Sequence, residues 1–362
     1  MSEQDSQQED VMTELQHGAQ QHAGSHTQRH EVDLVLVGAG PVGLYGAYYA
    51  GVRGLRVALV DSLPEPGGQV TAMYPEKPIY DIAGFPSVRG RELVDNLVAQ
   101  AGHYDPLYLL GQQAQSLERL PATDGPDRFV LTTSNGTVVD CGAVVVTGGI
   151  GTFTPRPLPA GEEFLGRGLS YFVPTLDDFT DTDVVVVGGG DSACDWVLAL
   201  QPIASSVTLV HRRQKFRAHA ATVDAVRACG ATVVTDAQVT RIEGDGSIEK
   251  VEVTGKDGAY VLEAQRVVAA LGFLADLGPM REWGFDLHDN RHLVVDSTMS
   301  TDVPGVYAAG DIAEYAGKVR LIAVGFGEVA TAVNNAAVHL DPEASLFPGH
   351  STDAAPVAAA VA

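Results

Sequence analysis

The amino-acid sequence predicts an α/β protein in which one device, a buried strand, a glycine-rich turn and a helix, occurs twice. Three observations carry this. Asp33-Leu-Val-Leu-Val37 runs directly into Gly38-Ala-Gly40-Pro-Val-Gly43, and Asp183-Val-Val-Val-Val187 runs directly into Gly188-Gly-Gly190-Asp-Ser-Ala193. A residue of contrasting charge then closes each unit at the same distance from its turn. The spacing from Gly43 to Asp61 equals the spacing from Ala193 to His211-Arg212-Arg213.

Composition is consistent with this. At 362 residues the chain can hold two domains, each with its own core. Its 40 glycines fit a fold rich in tight turns and close backbone approaches. A net charge of −23 argues against a nucleic-acid partner, because phosphate binding needs clustered Lys and Arg. Cys141, Cys194 and Cys229 are widely spaced and form no metal or CxxC pattern. That usage fits a reducing, cytoplasmic setting, and it predicts thiols that act as small buried hydrophobes.

Residues 1–30 read as a disordered tail, rich in Gln, His, Ser and acids and poor in large apolar side chains. His17, His22, His26 and His30 fit an unstructured polar arm better than a metal tract, so no metal site is expected. Leu34 to Val52 carries no charge and is nearly long enough to span a bilayer. Gly38, Gly40, Pro41 and Gly43 interrupt it, so a strand, turn and helix explain it better, and no membrane association is expected.

In the first unit, Leu34–Val37 is the kind of apolar run that forms a buried parallel strand. Glycines at 38, 40 and 43 permit a tight turn, backbone approach to a pyrophosphate, and close packing of helix on strand. The helix that follows offers free N–H groups and the positive end of its dipole. A second strand, Arg56-Val-Ala-Leu-Val60, ends in Asp61, whose carboxylate can accept hydrogen bonds from both ribose hydroxyls of an adenosine.

The second unit repeats this with Gly188, Gly190, Asp191 and Ser192 at the turn. Its strand Val207-Thr-Leu-Val210 ends in His211, Arg212 and Arg213, and Arg217 extends the basic cluster. An acid at that place would repel a 2′-phosphate, whereas guanidiniums bind one in charge-assisted fashion. The first unit is therefore expected to take an adenosine with a free 2′-hydroxyl, and the second NADPH. Both are Rossmann-like.

A third element, Thr301-Asp-Val-Pro-Gly-Val-Tyr-Ala-Ala-Gly310-Asp311, resembles the second FAD fingerprint of two-dinucleotide-binding-domain flavoproteins. A helix over 323–340 follows, its N-terminus able to face a flavin and stabilise negative charge there. Because Asp311 lies beyond the NADPH unit, the FAD domain must be discontinuous. The expected partition is 31–158 with 276–345 for the FAD-binding domain, 165–272 for the NADPH-binding domain, and a tail over 346–362.

Nearly the whole chain beyond the N-terminal tail resembles the thioredoxin-reductase-like ferredoxin–NADP⁺ reductases. The resemblance rests on Pro66-Gly-Gly-Gln69, Met73-Tyr-Pro-Glu-Lys77, Tyr80-Asp-Ile-Ala-Gly-Phe-Pro86, Gly189-Gly-Asp-Ser192, the stretch from His211 to His219, and Lys318 through Asn335. It implies a homodimer with non-covalent FAD, and ferredoxin (or flavodoxin) as electron partner. It also implies that Asp61, Gln69, Tyr74, Ala114, Phe153, Asp311 and Thr352 contact FAD. Tyr74 would stack on one flavin face, and His350 would cover the other. After Thr352 the chain turns Ala-rich and departs from the family pattern.

Absences narrow the chemistry. Where thioredoxin reductases carry CxxC this chain reads Tyr171-Phe-Val-Pro174, and where glutathione-reductase relatives carry a cysteine pair it reads Gly67-Gly-Gln-Val-Thr71. No dithiol can relay electrons. The expected course is hydride transfer from NADPH to flavin N5, then single electrons to an iron–sulfur carrier, with no acid–base set. Two alternatives stay open: an NADPH-dependent flavoprotein using oxygen, a quinone or another small oxidant, and a flavin-based redox sensor. Cys194 lies in the first turn of the second unit's helix, where a helix N-terminus can lower a thiol pKa, but a pyrophosphate is expected to dominate that end and a small residue packed behind the turn suffices.

Overall fold

Val35, Leu36 and their neighbours can all be apolar because the sheet they enter is covered on both faces, as parallel sheets are. The computed structural model describes residues 28–123, 125–173, 175–256 and 258–350. Leu34–Val37 (β1) leads into Pro41–Val52 (α1), then Val57–Val60 (β2), the short helix Gln69–Met73 (α2), Gly90–Gly102 (α3) and Leu107–Leu109 (β3). Three antiparallel strands, Ala114–Leu120, Arg128–Thr133 and Val138–Cys141, precede Ala143–Val146 (β4).

Thr152–Pro155 (β5) then leaves this unit. The second unit comprises Asp183–Val187 (β6), Asp191–Leu200 (α4), Ser206–His211 (β7), Ala220–Ala228 (α5), Thr232–Thr235 (β8) and Arg266–Ala269 (β9). Phe273–Asp276 (β10) returns the chain by pairing antiparallel with β5, so the outgoing and returning segments form one two-stranded ribbon. Val306–Ala308 (β11) and Ile322–Leu340 (α6) complete the first unit.

The two parallel sheets have the same plan. The first runs β11-β4-β1-β2-β3, and the second runs Leu169–Ser170, β9, β6, β7, β8. In each, the strand that feeds the glycine turn is central. Register agrees as well: Val37 pairs with Val60 and Val146, and Val187 with Val210 and Ala269. Along β6 alternate valines face opposite ways. Val184 and Val186 pack with Trp196, Val197 and Val226, while Val185 and Val187 pack with Val239, Val251 and Val253 of an antiparallel three-stranded sheet. Both faces are dry, which is why an uninterrupted valine run is stable there.

α1 uses small residues to lie close. A methyl group on Gly46 would meet Val329 of α6 at 2.7 Å and Leu36 of β1 at 3.2 Å. The charge-free stretch that raised the question of a membrane span is thus a short strand, a turn and a tightly packed helix. Among the described residues no helix is long and apolar enough to cross a membrane.

One boundary differs from expectation. Arg29 and His30, assigned by composition to the tail, lie in a strand, Arg29–Glu31, that pairs in parallel with Val138–Cys141. The Arg29 guanidinium donates two 2.6 Å hydrogen bonds to Asp140. Composition cannot reveal this, because the partner strand lies far along the chain. His17, His22, His26 and Thr352 lie outside the described residues.

Candidate functional site

The two glycine turns are built alike. The Gly38 N–H donates to Val60 O at 2.8 Å, and the Gly188 N–H to Val210 O at 3.0 Å. A methyl group on Gly38 would lie 2.6 Å from Thr147 O, and one on Gly188 would lie 2.5 Å from Ala270 O. Each turn is pressed against the strand next to its own, so only glycine fits. Gly43 serves the same packing one turn on, where an added methyl would meet Gly38 O at 1.9 Å. The helices that follow start directly at the turns, at Pro41 and Asp191, so the positive ends of their dipoles lie there.

Beside the first turn lies a cleft with about 1170 Å³ of non-protein space, solvent at its mouth included. Its lining runs from the glycine turn past Asp61 to Asp311 and the start of α6, an elongated outline that suits a dinucleotide. Of the predicted residues, Gly38, Gly40, Asp61, Gln69, Tyr74, Ala114 and Asp311 line it. Asp61 sits at one end, where it accepts N–H bonds from Ala39 at 2.7 Å and Leu63 at 2.9 Å. Burial nevertheless pushes its carboxyl above the ordinary value. Further donors would relieve that, as ribose hydroxyls do. Tyr74 forms part of the wall; burial, followed by the charges of Asp311 and Asp81, pushes its phenol up to about 12, so it stays neutral.

Phe153 lies in β5, its backbone opposite Ala275, one residue beyond Thr152 of the cleft wall. His350 is not brought to the cleft of its own chain. Its ring stands edge-on to Phe347 at 5.2 Å, and the nearby Leu346 carbonyl accepts a 3.4 Å bond from Arg53, which also donates to Asn334 of α6. Tyr74 and His350 are therefore not two sides of one site within one chain.

In the second unit Arg212, Arg213 and Arg217 are all exposed, and none joins an ion pair among the described residues. The loop that carries them is zipped onto the glycine turn. Gly189 O accepts from the N–H of Arg217 at 2.7 Å, and the Asp191 carboxylate accepts from the His219 N–H at 2.9 Å. His211, expected beside the arginines, is instead buried beneath the turn. Its ring lies 4.8 Å from that of Phe216, directly under Gly189, with Nε2 3.2 Å from Lys215 O. Ser192 is exposed at the start of α4.

Cys194 is packed as expected: burial, then the charges of Asp195 and Asp191, push its thiol up to about 11. Being packed against Trp196 and Val197 outweighs the helix N-terminus. Sequence reasoning also missed a buried group behind the cleft, made by Tyr315, Lys318 and Glu328. It missed the ion pair of Lys77 with Asp195 as well. The only available signal for the first was a glutamate on the apolar face of a helix.

A cleft at one glycine turn and a free arginine cluster at the other define a two-dinucleotide oxidoreductase. The family model for pyridine nucleotide-disulphide oxidoreductases matches residues 32–336. A ferredoxin–NADP reductase of Salinispora tropica is 64% identical over 90% of this chain and 99% of its own length. One from Frankia alni is 63% identical, over 88% and 98%. Among solved structures, the thioredoxin reductase of T. acidophilum superposes with a TM-score of 0.69 at 27% identity, covering 85% of this chain and 98% of that one. The chain belongs to the ferredoxin–NADP reductase family within the pyridine nucleotide-disulphide oxidoreductase class. The class name mentions a disulphide, yet none of Cys141, Cys194 and Cys229 lines the cleft, and all three are free.

Proposed function

We propose that this chain is an FAD-dependent oxidoreductase that transfers electrons between NADPH and ferredoxin. The observation that carries this is the contrast between two otherwise matching units: a half-buried acid, Asp61, at the end of the first strand pair, and three exposed arginines at the same place in the second. The acid selects a free ribose, and the arginines select a 2′-phosphate. The reductase names of relatives at 63–64% identity support the same reading.

In this reading residues 31–158 and 276–345 form the FAD domain, residues 165–272 form the NADPH domain, and the β5–β10 ribbon joins them. Gly38, Gly40 and the N-terminus of α1 hold the pyrophosphate, and Asp311 the ribityl end. Gln69, Ala114, Phe153 and Thr352 supply further FAD contacts. Gly188, Gly190, Asp191 and Ser192 receive the pyrophosphate of NADPH, and Arg212, Arg213 and Arg217 its 2′-phosphate, with His211 as the floor of that turn. A bound flavin supplies hydride acceptance and release of electrons one at a time. Tyr74 stacks against the ring and, being neutral, adds no charge there.

His350 belongs to a tail with exposed Leu346 and Phe347, at 54% and 60% of full exposure. We place that apolar tail at the contact between two copies of the chain, so that the active form is a cytoplasmic homodimer in which His350 covers a flavin. Stopped-flow bleaching of the flavin by NADPH without oxygen, followed by ferredoxin-dependent cytochrome reduction, tests the assignment. Bleaching without transfer to any ferredoxin, but with rapid turnover on oxygen or quinones, would move it to the small-oxidant reductases.

A further inference from the structure

Glu328 is the one acid on the buried face of α6, where its neighbours are Gly325, Val329, Ala332 and Val333. Its side chain is 5% exposed, and that of its partner Lys318 2%. Two charges are thus removed from water, which stabilises a fold only when the geometry is good and the remaining hydrogen-bonding groups are satisfied. Here they are. The Lys318 ammonium donates to both carboxylate oxygens, at 2.5 and 2.6 Å. The Tyr315 hydroxyl donates to Oε1 at 2.7 Å, and the Gly310 N–H donates to Oε2 at 2.8 Å. The hydrogen bond to Glu328 pushes the Tyr315 phenol up to about 12, which keeps it a donor.

What this group holds is the back of the cleft. Gly310 and Asp311 line the cleft at one end of the loop 310–321, and Leu321 and Ile322 line it at the other. Glu328 is bonded to Gly310, near the loop's start, and to Lys318, near its end. The packing there leaves no slack. A methyl group on Gly325 would lie 2.5 Å from Val42 and 3.3 Å from the Gly310 Cα, and Val42 is itself a cleft wall. Gly310 has φ of +80°, the left-handed region, and an added methyl there would meet Val42 at 3.2 Å. Three chain starts, those of α1, of the 310–312 turn and of α6, therefore converge on this carboxylate's neighbourhood.

We infer that Glu328 and Lys318 form a charge-balanced clasp that positions Asp311 and the N-terminus of α6 against the flavin, so that the pair sets both FAD affinity and flavin potential. They are positioning residues: neither lines the cleft. The inference rests on the reading of the cleft as the FAD site. Removing one partner leaves the other as an uncompensated buried charge behind the ring. An unpaired anion disfavours electron uptake, and an unpaired cation favours it. Removing both restores neutrality, and a glutamine at 328 can still accept from the Gly310 N–H through its one oxygen while its amide N–H donates to the Tyr315 hydroxyl oxygen.

The test uses Lys318→Met, Glu328→Gln and the double variant in the full-length chain. FAD dissociation constants are measured by fluorescence titration of deflavinated protein, and midpoint potentials by dye equilibration. NADP⁺ binding, by calorimetry on the same preparations, verifies the fold. Each single variant is expected to weaken FAD by at least about tenfold, and the double variant to recover most of that loss. The potential moves negative in Lys318→Met and positive in Glu328→Gln. Should a single variant fail to fold, recovery in the double variant still supports the clasp. A double variant no better than the singles, or potential shifts of the same sign, overturns it. Asp61→Ala is run alongside. Loss of FAD in that variant with unchanged binding in the others sinks only the clasp, and unchanged binding in all of them sinks the cleft assignment.

Discussion

Lys77 and Asp195 form an ion pair between the two units: the lysine follows the cleft-wall residue Tyr74, and the aspartate belongs to α4 behind the second glycine turn. Tyr74 itself packs against the cores of both units. The segment 74–77 is thus where the second unit rests on the first. Both charges remain partly exposed, at 39% and 28%, so the pair contributes little to stability, on the order of 0–1 kcal/mol. Its effect is on placement. Asp195→Lys is expected to slow NADPH-driven flavin bleaching several-fold, and Lys77→Asp/Asp195→Lys to recover it. Stopped-flow absorbance reads this directly, and a charge-swapped protein as slow as the single variant would refute the role.

Arg212→Ala/Arg213→Ala should weaken NADPH far more than NADH. A charge-assisted hydrogen bond contributes on the order of 1.5–3 kcal/mol, so kcat/KM for NADPH should fall roughly ten- to a hundredfold or more. NADH kinetics should barely move, because it lacks the phosphate that the exposed arginines would grip. An unchanged ratio of the two would remove the 2′-phosphate assignment.

Asp61→Ala should release FAD while leaving NADPH affinity intact. The carboxylate already orients the Ala39 and Leu63 N–H groups, so its loss disturbs the turn as well as the ribose contact. Flavin content after gel filtration, with NADP⁺ titration on the same sample, separates the effects. Retained flavin with lost nucleotide binding would mean that the two units are reversed.

Tyr74 makes a pH prediction. Its phenol is raised from the ordinary value of 10 to about 12 in the folded chain. A raised value means that the stability linked to the neutral form is complete below pH 10 and is lost as pH rises towards about 12. The melting temperature of the wild type should therefore fall more steeply across that window than that of Tyr74→Phe. Parallel curves would show that Tyr74 ionises without cost.

The thiols should be spectators. Burial pushes Cys141 up to about 12 and Cys194 to about 11, while Cys229 is half-buried and its thiol donates to Val226 O at 3.1 Å. Iodoacetamide at neutral pH should label Cys229 at most, as read by mass spectrometry. A triple Cys→Ala variant should keep NADPH-to-ferredoxin turnover within a few-fold at full flavin occupancy. Turnover lost while NADPH still bleaches the flavin would place a thiol on the electron path.

The residues by themselves determined the doubled strand–turn–helix plan, the placement of both glycine turns and the contrast between Asp61 and Arg212-Arg213. Each of these is local: a run of apolar residues, a spacing of glycines and a charge at the end of the next strand all lie within one short stretch of chain. Only the tertiary structure decided the rest. It turned His211 under Gly189 and away from the arginine surface, buried Cys194 against Trp196, and kept His350 away from the cleft of its own chain. It also brought Glu328 to Gly310 and Lys77 to Asp195. The deciding energy is desolvation in a core assembled from distant segments, as for Cys194 among Val173, Val207 and Val226, or pairing between groups far apart in the sequence, as for Lys77 with Asp195.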